Sequence, residues 1–221
     1  MPRAKSKSAG KTGLPTKFIQ LAEDCALLSK WEQRETLGSG EYGTTFKVCY
    51  AGDCQYVLKI QDNDRHFRSE IEVLEQFQDT DVVPKLYAAW TCKNRAYIVM
   101  ESLLPYQRED YYDNMDVYKQ LRRALAILNS RGWIHSDIHR GNVMHRSNGT
   151  LVLIDFGLAV KDTHKDADIF YNDQQMMLES VNIDDRLWRQ YRSIHCEYDG
   201  KSLRTCFDDD GDDDDSIDDR D

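Results

Sequence analysis

The chain has no apolar stretch approaching the roughly eighteen residues that a membrane-spanning helix needs, which excludes a helical membrane anchor within it. It has no internal repeat, so stacked-repeat architectures are excluded as well. No apolar signal segment opens it, and none of the six cysteines (Cys25, Cys49, Cys54, Cys92, Cys196, Cys206) forms a C-x-x-C pair. Scattered in this way, they read as reduced thiols of a cytoplasmic or nuclear protein. What is present suits a packed body: 40% of residues are hydrophobic and 10% aromatic, and 221 residues fit one domain or one two-lobed domain.

Charge is unevenly spread. The formal net charge is −10, yet the stretch from Asp208 to Asp221 alone holds ten Asp against one Arg. Residues 1–17 carry Arg3, Lys5, Lys7, Lys11 and Lys17 among Gly, Ser and Pro. The expected organisation is a basic leader (1–17) and an acidic tail (208–221), both disordered for want of apolar surface, around a body at 18–207. The leader would bind nucleic acid at most non-specifically and in a salt-sensitive way.

Within the body the hydrophobic period changes twice. Phe18, Leu21, Cys25 and Leu28 fall at helical spacing and predict a short lead-in helix over 18–31. Short β-prone runs follow at Thr45–Tyr50, Tyr56–Ile60, Leu86–Cys92 and Ala96–Met100, punctuated by turns such as Ala51-Gly52-Asp53 and Lys93-Asn94. Phe67, Ile71, Leu74 and Phe77 form one face of an amphipathic helix. Beyond Pro105, Val117, Leu121, Leu125 and Leu128 make an apolar helical stripe that stops at Gly132. Val143-Met144 and Leu151–Ile154 flank an Asn148-Gly149 turn, where both residues are expected at positive φ. A helix is expected from about 166 to 180, and another through Trp188 and Tyr191. Sheet comes first and helix second, which gives an α+β body of two lobes, about 32–102 and 103–207.

Three segments carry chemistry. Gly38-Ser39-Gly40-Glu41-Tyr42-Gly43 is a G-x-G-x-x-G segment between two strands. Glycines there let backbone amides approach phosphate oxygens, although a plain glycine-rich hairpin has the same composition. Lys59 ends an apolar strand and wants an anion, for which Glu70 on the following helix is the natural partner. Then come His135-Ser136-Asp137-Ile138-His139-Arg140-Gly141-Asn142 and, after a hairpin, Asp155-Phe156-Gly157. Phosphoryl transfer needs Mg²⁺ held by hard oxygens, which Asn142 and Asp155 offer, and a carboxylate to orient the attacking hydroxyl, which Asp137 offers. Trp90, Trp133 and Trp188 read as packing residues, and His66, His145, His164 and His195 have no ligand spacing.

Together these segments resemble the protein-kinase superfamily over about residues 32–160. The resemblance implies a small antiparallel-sheet N-lobe, a helical C-lobe and ATP between them. It implies a hinge at Met100-Glu101-Ser102-Leu103, with Met100 as gatekeeper and backbone groups of Glu101 and Leu103 on the adenine. Lys59 would contact the α/β-phosphates, Thr45 and Val57 would line the adenine slot, and Asp137 would be the catalytic base. The implied cofactors are ATP and Mg²⁺, and the implied substrates are Ser/Thr hydroxyls of proteins.

The sequence also departs from that pattern. Ser136 stands where the family has arginine and His139 where it has lysine; a neutral imidazole there is the poorer partner for γ-phosphate charge, and a protonated one would serve. Thr45 and Val57 replace the usual Val and Ala. No A-P-E segment follows Asp155, and Asp168 is the candidate for the aspartate that braces the catalytic loop. Such a shortened C-lobe resembles the compact kinases of the Bud32-like group and of some viruses and bacterial effectors, and implies a partner protein that completes the substrate site. Two other functions fit parts of this pattern. H-x-D-x-H-x-G-N resembles the loop of small-molecule kinases acting on aminoglycosides and choline. Loss of the peptide platform suits a non-catalytic binding module or an ATPase subunit of a complex.

Overall fold

Six strands and one helix build the first part of the protein, in a computed structural model that describes residues 18–40, 43–112, 114–161, 173, 176–177, 180–181, 194–198 and 203–208. The chain divides into two compact units. The first runs to Leu104 and also takes in Ile154–Leu158; the second holds Pro105–Leu153 and the chain from Ala159 onward.

The first unit contains β1 (Phe18–Glu23), β2 (Glu32–Gly40), β3 (Gly43–Tyr50), β4 (Asp53–Asp62), α1 (Arg65–Gln76), β5 (Leu86–Cys92) and β6 (Arg95–Glu101). They form one sheet in the order β1-β5-β6-β4-β3-β2. Each β-prone run of the sequence is a strand here, and the hairpin turns follow from local chemistry. Ala51 and Gly52, at φ 50° and 88°, form the two-residue loop between Tyr50 and its partner Asp53. Positive φ at both positions matches the right-handed twist of the strands it joins.

The predicted lead-in helix is not formed. Residues 18–23 are the edge strand β1, paired in parallel with β5, and Leu27–Lys30 make one turn of 3-10 helix. Backbone pairing with an open sheet edge satisfied more groups than a short isolated helix, which is marginal by itself. Leu27 and Trp31 from this segment join Val48, Tyr56, Leu58 and Trp90 in the core on one face of the sheet. Trp31 lies 5.1 Å from the Tyr50 ring and 5.5 Å from that of Tyr56, near edge-on to the latter.

The reduced-thiol reading fails for four cysteines. Cys25 is bonded to Cys92, and Cys49 to Cys54. The first bond ties the segment after β1 to the end of β5; the second spans the β3–β4 turn. Neither pair is close in a recognisable motif, and only the register of the strands brings the sulfurs together.

Helix α1 starts at Asp64, whose carboxylate accepts from the amides of His66 and Phe67. It buries Phe67, Ile71, Val73 and Leu74. Glu70 lies on that same buried side at 1% exposure, which no amphipathic pattern asks for.

The second unit holds α2 (Arg108–Tyr111), α3 (Met115–Ser130) and the short strands β8 (Trp133–Ile134), β9 (Val143–His145), β10 (Leu151–Leu153) and β11 (Val160–Lys161), with β7 (Leu104–Pro105) at its start. Asn114 caps α3 by accepting from Asp116 and Val117, and Gly132, at φ 77°, ends it. Val117, Leu121, Leu125 and Leu128 are buried as the stripe predicts. β9 pairs with β10, but of Asn148 and Gly149 only the glycine has positive φ, at 83°. The loop is longer than a two-residue turn, closing between Arg146 and Thr150, so one left-handed residue suffices.

Residues 173, 176–177 and 180–181 are helical, overlapping the helix expected at about 166–180 and running one residue past it. A hairpin of β12 (Ile194–Tyr198) and β13 (Leu203–Asp208), absent from the sequence reading, follows. Its signal was there: alternating residues on either side of Asp199-Gly200. The leader, the tail past Asp208, His164 and the helix through Trp188 and Tyr191 lie outside the described residues.

Candidate functional site

The first unit gathers most of the predicted phosphate and adenine residues onto one sheet face. Register sets Thr45 opposite Lys59 and Val57 opposite Met100. Lys59 and Val57 are two apart on β4, so all four side chains share a face, the one opposite the Trp31 core. Lys59 (8% exposed) is held there by two carboxylates. Its Nζ donates to Glu70 Oε1 and Oε2, at 3.0 and 2.8 Å, and to Asp155 Oδ1 at 2.8 Å. Burial works against the charge of Lys59, yet the Glu70 and Asp155 carboxylates outweigh it and hold the ammonium above its ordinary pKa. Burial pushes the Glu70 carboxyl up, against the pull of Lys59 and of a hydrogen bond from Gln61.

Asp155 itself has φ 63°, a left-handed conformation unusual for a residue with a side chain. Phe156 beside it is fully buried and anchors the turn. A Cβ on Gly157 would meet His66 Cβ at 3.4 Å, ordinary contact. The strain at Asp155 is thus held by packing on its C-terminal side.

The glycine-rich segment forms the end of the β2–β3 hairpin. Gly40 and Gly43 are register partners, and Glu41 and Tyr42 between them lie outside the described residues. Ser39 Oγ and Thr44 Oγ1 meet at 3.1 Å across the hairpin. The three glycines differ in what they do. A side chain on Gly43, at φ 146°, would collide with the Ile60 carbonyl oxygen, so the close crossing of β3 over β4 requires glycine. At Gly38 and Gly40 an added Cβ would meet nothing within 4 Å. The fold has no steric need for glycine at those two positions.

At the hinge predicted from sequence, Met100 is 8% exposed. The Glu101 amide donates to Lys85 O at 3.0 Å, and the Ser102 amide to Gln55 O at 3.0 Å. The Glu101 carboxylate turns back to the Lys85 amide at 2.9 Å. Leu103 is half-buried.

The second unit carries the other cluster. Asn142 (6% exposed) donates from Nδ2 to the Asp137 carbonyl at 2.9 Å and to its Oδ2 at 2.8 Å. The amide nitrogen is thereby spent, and Oδ1 is the atom left for a cation. His139 Nδ1 accepts from the Gly141 amide at 3.0 Å, which puts the ring proton on Nε2, 3.5 Å from Asp137 Oδ2. A Cβ on Gly141 would come within 2.8 Å of this ring, so glycine is what admits the imidazole. His139 Nε2 therefore lies at ion-pair rather than hydrogen-bond distance from the Asp137 carboxylate.

The loop is braced by an aspartate other than the expected one. Asp173, fully buried, accepts from the His135 amide (2.7 Å) and the Ser136 amide (2.9 Å). Asp168, the sequence candidate, lies outside the described residues. Asp168 and Asp173 are five apart, and sequence pattern alone does not distinguish them. Burial pushes the Asp173 carboxyl up, opposed by those two amides. Sequence reasoning also missed Gln61, whose Nε2 donates to Glu70 Oε2 at 3.0 Å. The signal for it was a polar residue at a buried strand position.

Comparison with known proteins identifies the family. The protein kinase domain family matches residues 31–177. Among curated proteins, Mitogen-activated protein kinase kinase kinase 1 of Arabidopsis thaliana is 30% identical over 61% of this chain and 25% of its own length. The probable serine/threonine-protein kinase fnkB of Dictyostelium discoideum is 31% identical over 58% of this chain and 27% of its own. Serine/threonine-protein kinase STK11 of Rattus norvegicus is 26% identical over 60% and 35% respectively. The chain thus spans about a quarter to a third of the length of these relatives.

Proposed function

The chain belongs to the protein kinase family, and from that premise we propose that it transfers the terminal phosphoryl group of ATP to Ser/Thr hydroxyls of protein substrates. The observation that carries this reading is the Lys59 ammonium held at 2.8 Å from both Glu70 and Asp155. A buried cation fixed between two carboxylates is a preorganised partner for phosphate oxygens, since its position is set before any ligand arrives. The bare backbone at Gly38 and Gly40 supports the same reading, as does the face shared by Thr45, Val57, Lys59 and Met100.

In the second unit, Asp137 is the group to orient the attacking hydroxyl and accept its proton. Its Oδ2 already accepts a hydrogen bond from Asn142 Nδ2, which also donates to the Asp137 carbonyl, and these hold the carboxylate's orientation. Asp155 in the first unit and Asn142 in the second each present a hard oxygen, the donor chemistry that Mg²⁺ prefers, and each is a candidate ligand. When bound, the ion neutralises charge on the phosphate oxygens. Serine or threonine as acceptor rests on the named activities of the relatives. A partner protein that completes the second unit belongs to the same proposal.

The test is transfer of labelled γ-phosphate from Mg-ATP to the protein itself and to generic acidic and basic acceptor proteins. Wild type should label, and Asp137→Ala should fall by about 10²–10⁴, the usual worth of a positioned acid–base group. ATP binding without transfer to any protein would turn the reading toward an ATPase or a small-molecule kinase. No nucleotide binding at all would leave a kinase-shaped binding module.

A further inference from the structure

Lys59 has three N–H bonds, and all three are in use: two on Glu70 and one on Asp155. If its ammonium turns to a phosphate oxygen, at least one carboxylate oxygen loses its donor. Glu70 is the group least able to tolerate that, since it is 1% exposed and no water can replace the lost bond.

Gln61 answers this need. It lies two residues beyond Lys59 on β4 and therefore on the same sheet face, at 2% exposure. Its Nε2 donates at 3.0 Å to Glu70 Oε2, the oxygen that Lys59 also reaches. A buried strand position packed against a helix ordinarily takes an aliphatic residue, and an amide there is useful only if it has a partner. Gln61 also lies beside Gly43 on the adjacent strand: a Cβ added at Gly43 would stand 3.0 Å from Gln61 Cβ. One residue thus bonds the Glu70 carboxylate and adjoins the strand end that carries Gly43.

We propose that Gln61 is a positioning residue for the phosphoryl-transfer site, holding Glu70 in the rotamer that seats Lys59 while Lys59 engages nucleotide phosphate. This rests on the phosphotransferase reading and goes beyond the Lys59–Glu70 pair itself, because Gln61 touches no reacting atom and acts through Glu70. The charged groups that face Glu70 are Lys59 and Asp155. Both stay in place when Gln61 is changed.

The experiment is a double-mutant cycle read by calorimetric titration with Mg-ATP. Gln61→Met keeps the volume and removes the donor; Gln61→Leu is the substitute should Met fail to fold, which thermal unfolding of each variant reports. In the wild-type background, Gln61→Met is expected to weaken Mg-ATP binding about tenfold, the usual effect of losing a hydrogen bond to a charged group. In a Glu70→Ala background the same change should add less than about twofold, because Gln61 then has nothing to position. A merely structural role would lower the active fraction, leaving the dissociation constant alone. Wild-type affinity in Gln61→Met, or an equal loss in both backgrounds, overturns the proposal. If the wild-type chain itself binds no Mg-ATP, the phosphotransferase reading falls and the role of Gln61 falls with it.

Discussion

Ser136 holds φ at 64° while its amide donates to Asp173 Oδ1 across 2.9 Å. The amide of His135, just before it in the chain, reaches the other oxygen of the same carboxylate at 2.7 Å. Two successive backbone groups are thus fixed by one buried side chain, immediately before Asp137. A residue with a Cβ in the left-handed region is strained by about 1 kcal/mol, and two charge-assisted bonds are enough to offset that. The direction in which Asp137 leaves the loop is in this way set from a helix some forty residues further on.

Removing that brace should loosen the loop and the fold together. Asp173→Ala leaves two buried amides without their acceptor and is expected to lower stability by about 2–4 kcal/mol. Asp173→Asn keeps one acceptor oxygen and should lose less. Urea unfolding measures both, and an Ala variant as stable as wild type would show that the amides find another partner.

Lys59→Met would leave Glu70 buried without its principal counter-charge. The expected loss is about 3 kcal/mol, in the range for breaking one side of a buried pair. Adding Glu70→Leu should recover part of it, because an apolar pair needs no compensation. Denaturant midpoints of the single and double variants decide this, and additive losses would sink it.

The glycines of the β2–β3 hairpin should separate by what they touch. Gly43→Ala meets the Ile60 carbonyl and a φ of 146°, so it should destabilise the fold by about 1–3 kcal/mol. Gly38→Ala and Gly40→Ala meet open space and should change stability by under about 0.5 kcal/mol. Their effect is expected in the Mg-ATP dissociation constant. Thermal unfolding beside ATP titration reads both quantities on the same samples.

Reduction should weaken the first unit. For the Cys25–Cys92 bond, 67 residues apart, loop-closure entropy gives about 4 kcal/mol. Cys49–Cys54, five apart, gives about 2 kcal/mol. Unfolding with and without dithiothreitol tests the sum, and Cys25→Ser with Cys92→Ser isolates the larger part. Alkylation and mass analysis of the unreduced chain should find these four thiols protected.

Tyr56 is pushed up to about 12 by burial and by its hydrogen bond to Asp53 Oδ2 at 3.1 Å. A raised folded pKa favours the neutral phenol in the native state. The stability it contributes is therefore complete below the ordinary pKa of about 10 and is lost as pH climbs toward 12. Burial also raises Tyr106, Tyr111 and Tyr118, so ultraviolet titration should show several tyrosines ionising late, and Tyr56→Phe should reduce the amplitude of that late step by one tyrosine.

Much of this was legible in the chain itself. The period-2 runs located β3, β4, β5 and β6, the 3.6-period stripes located α1 and α3, and the spacing picked out Lys59, Glu70 and Asp155, which meet in the first unit, and Asp137 and Asn142, which meet in the second. Those readings work because a strand or helix face must bury what repeats along it, and because carboxylate, amide and ammonium groups have few possible uses in apolar surroundings.

Other features depended on pairing between distant segments. Residues 18–23 carry a helical spacing, and became a strand because β5 offered an open edge. The cysteines carry no motif, and were joined by the β1–β5 and β3–β4 registers. Asp173 and Asp168 look alike in sequence, and only the fold says which one reaches the amides of His135 and Ser136. The amino-acid sequence by itself determined most of the elements and the inventory of reactive groups, since both follow from local period and residue chemistry. Tertiary structure alone decided the partners (Gln61 with Glu70, Asp173 with Ser136, Cys25 with Cys92), because a contact across long separation depends on register and packing, which no local pattern encodes.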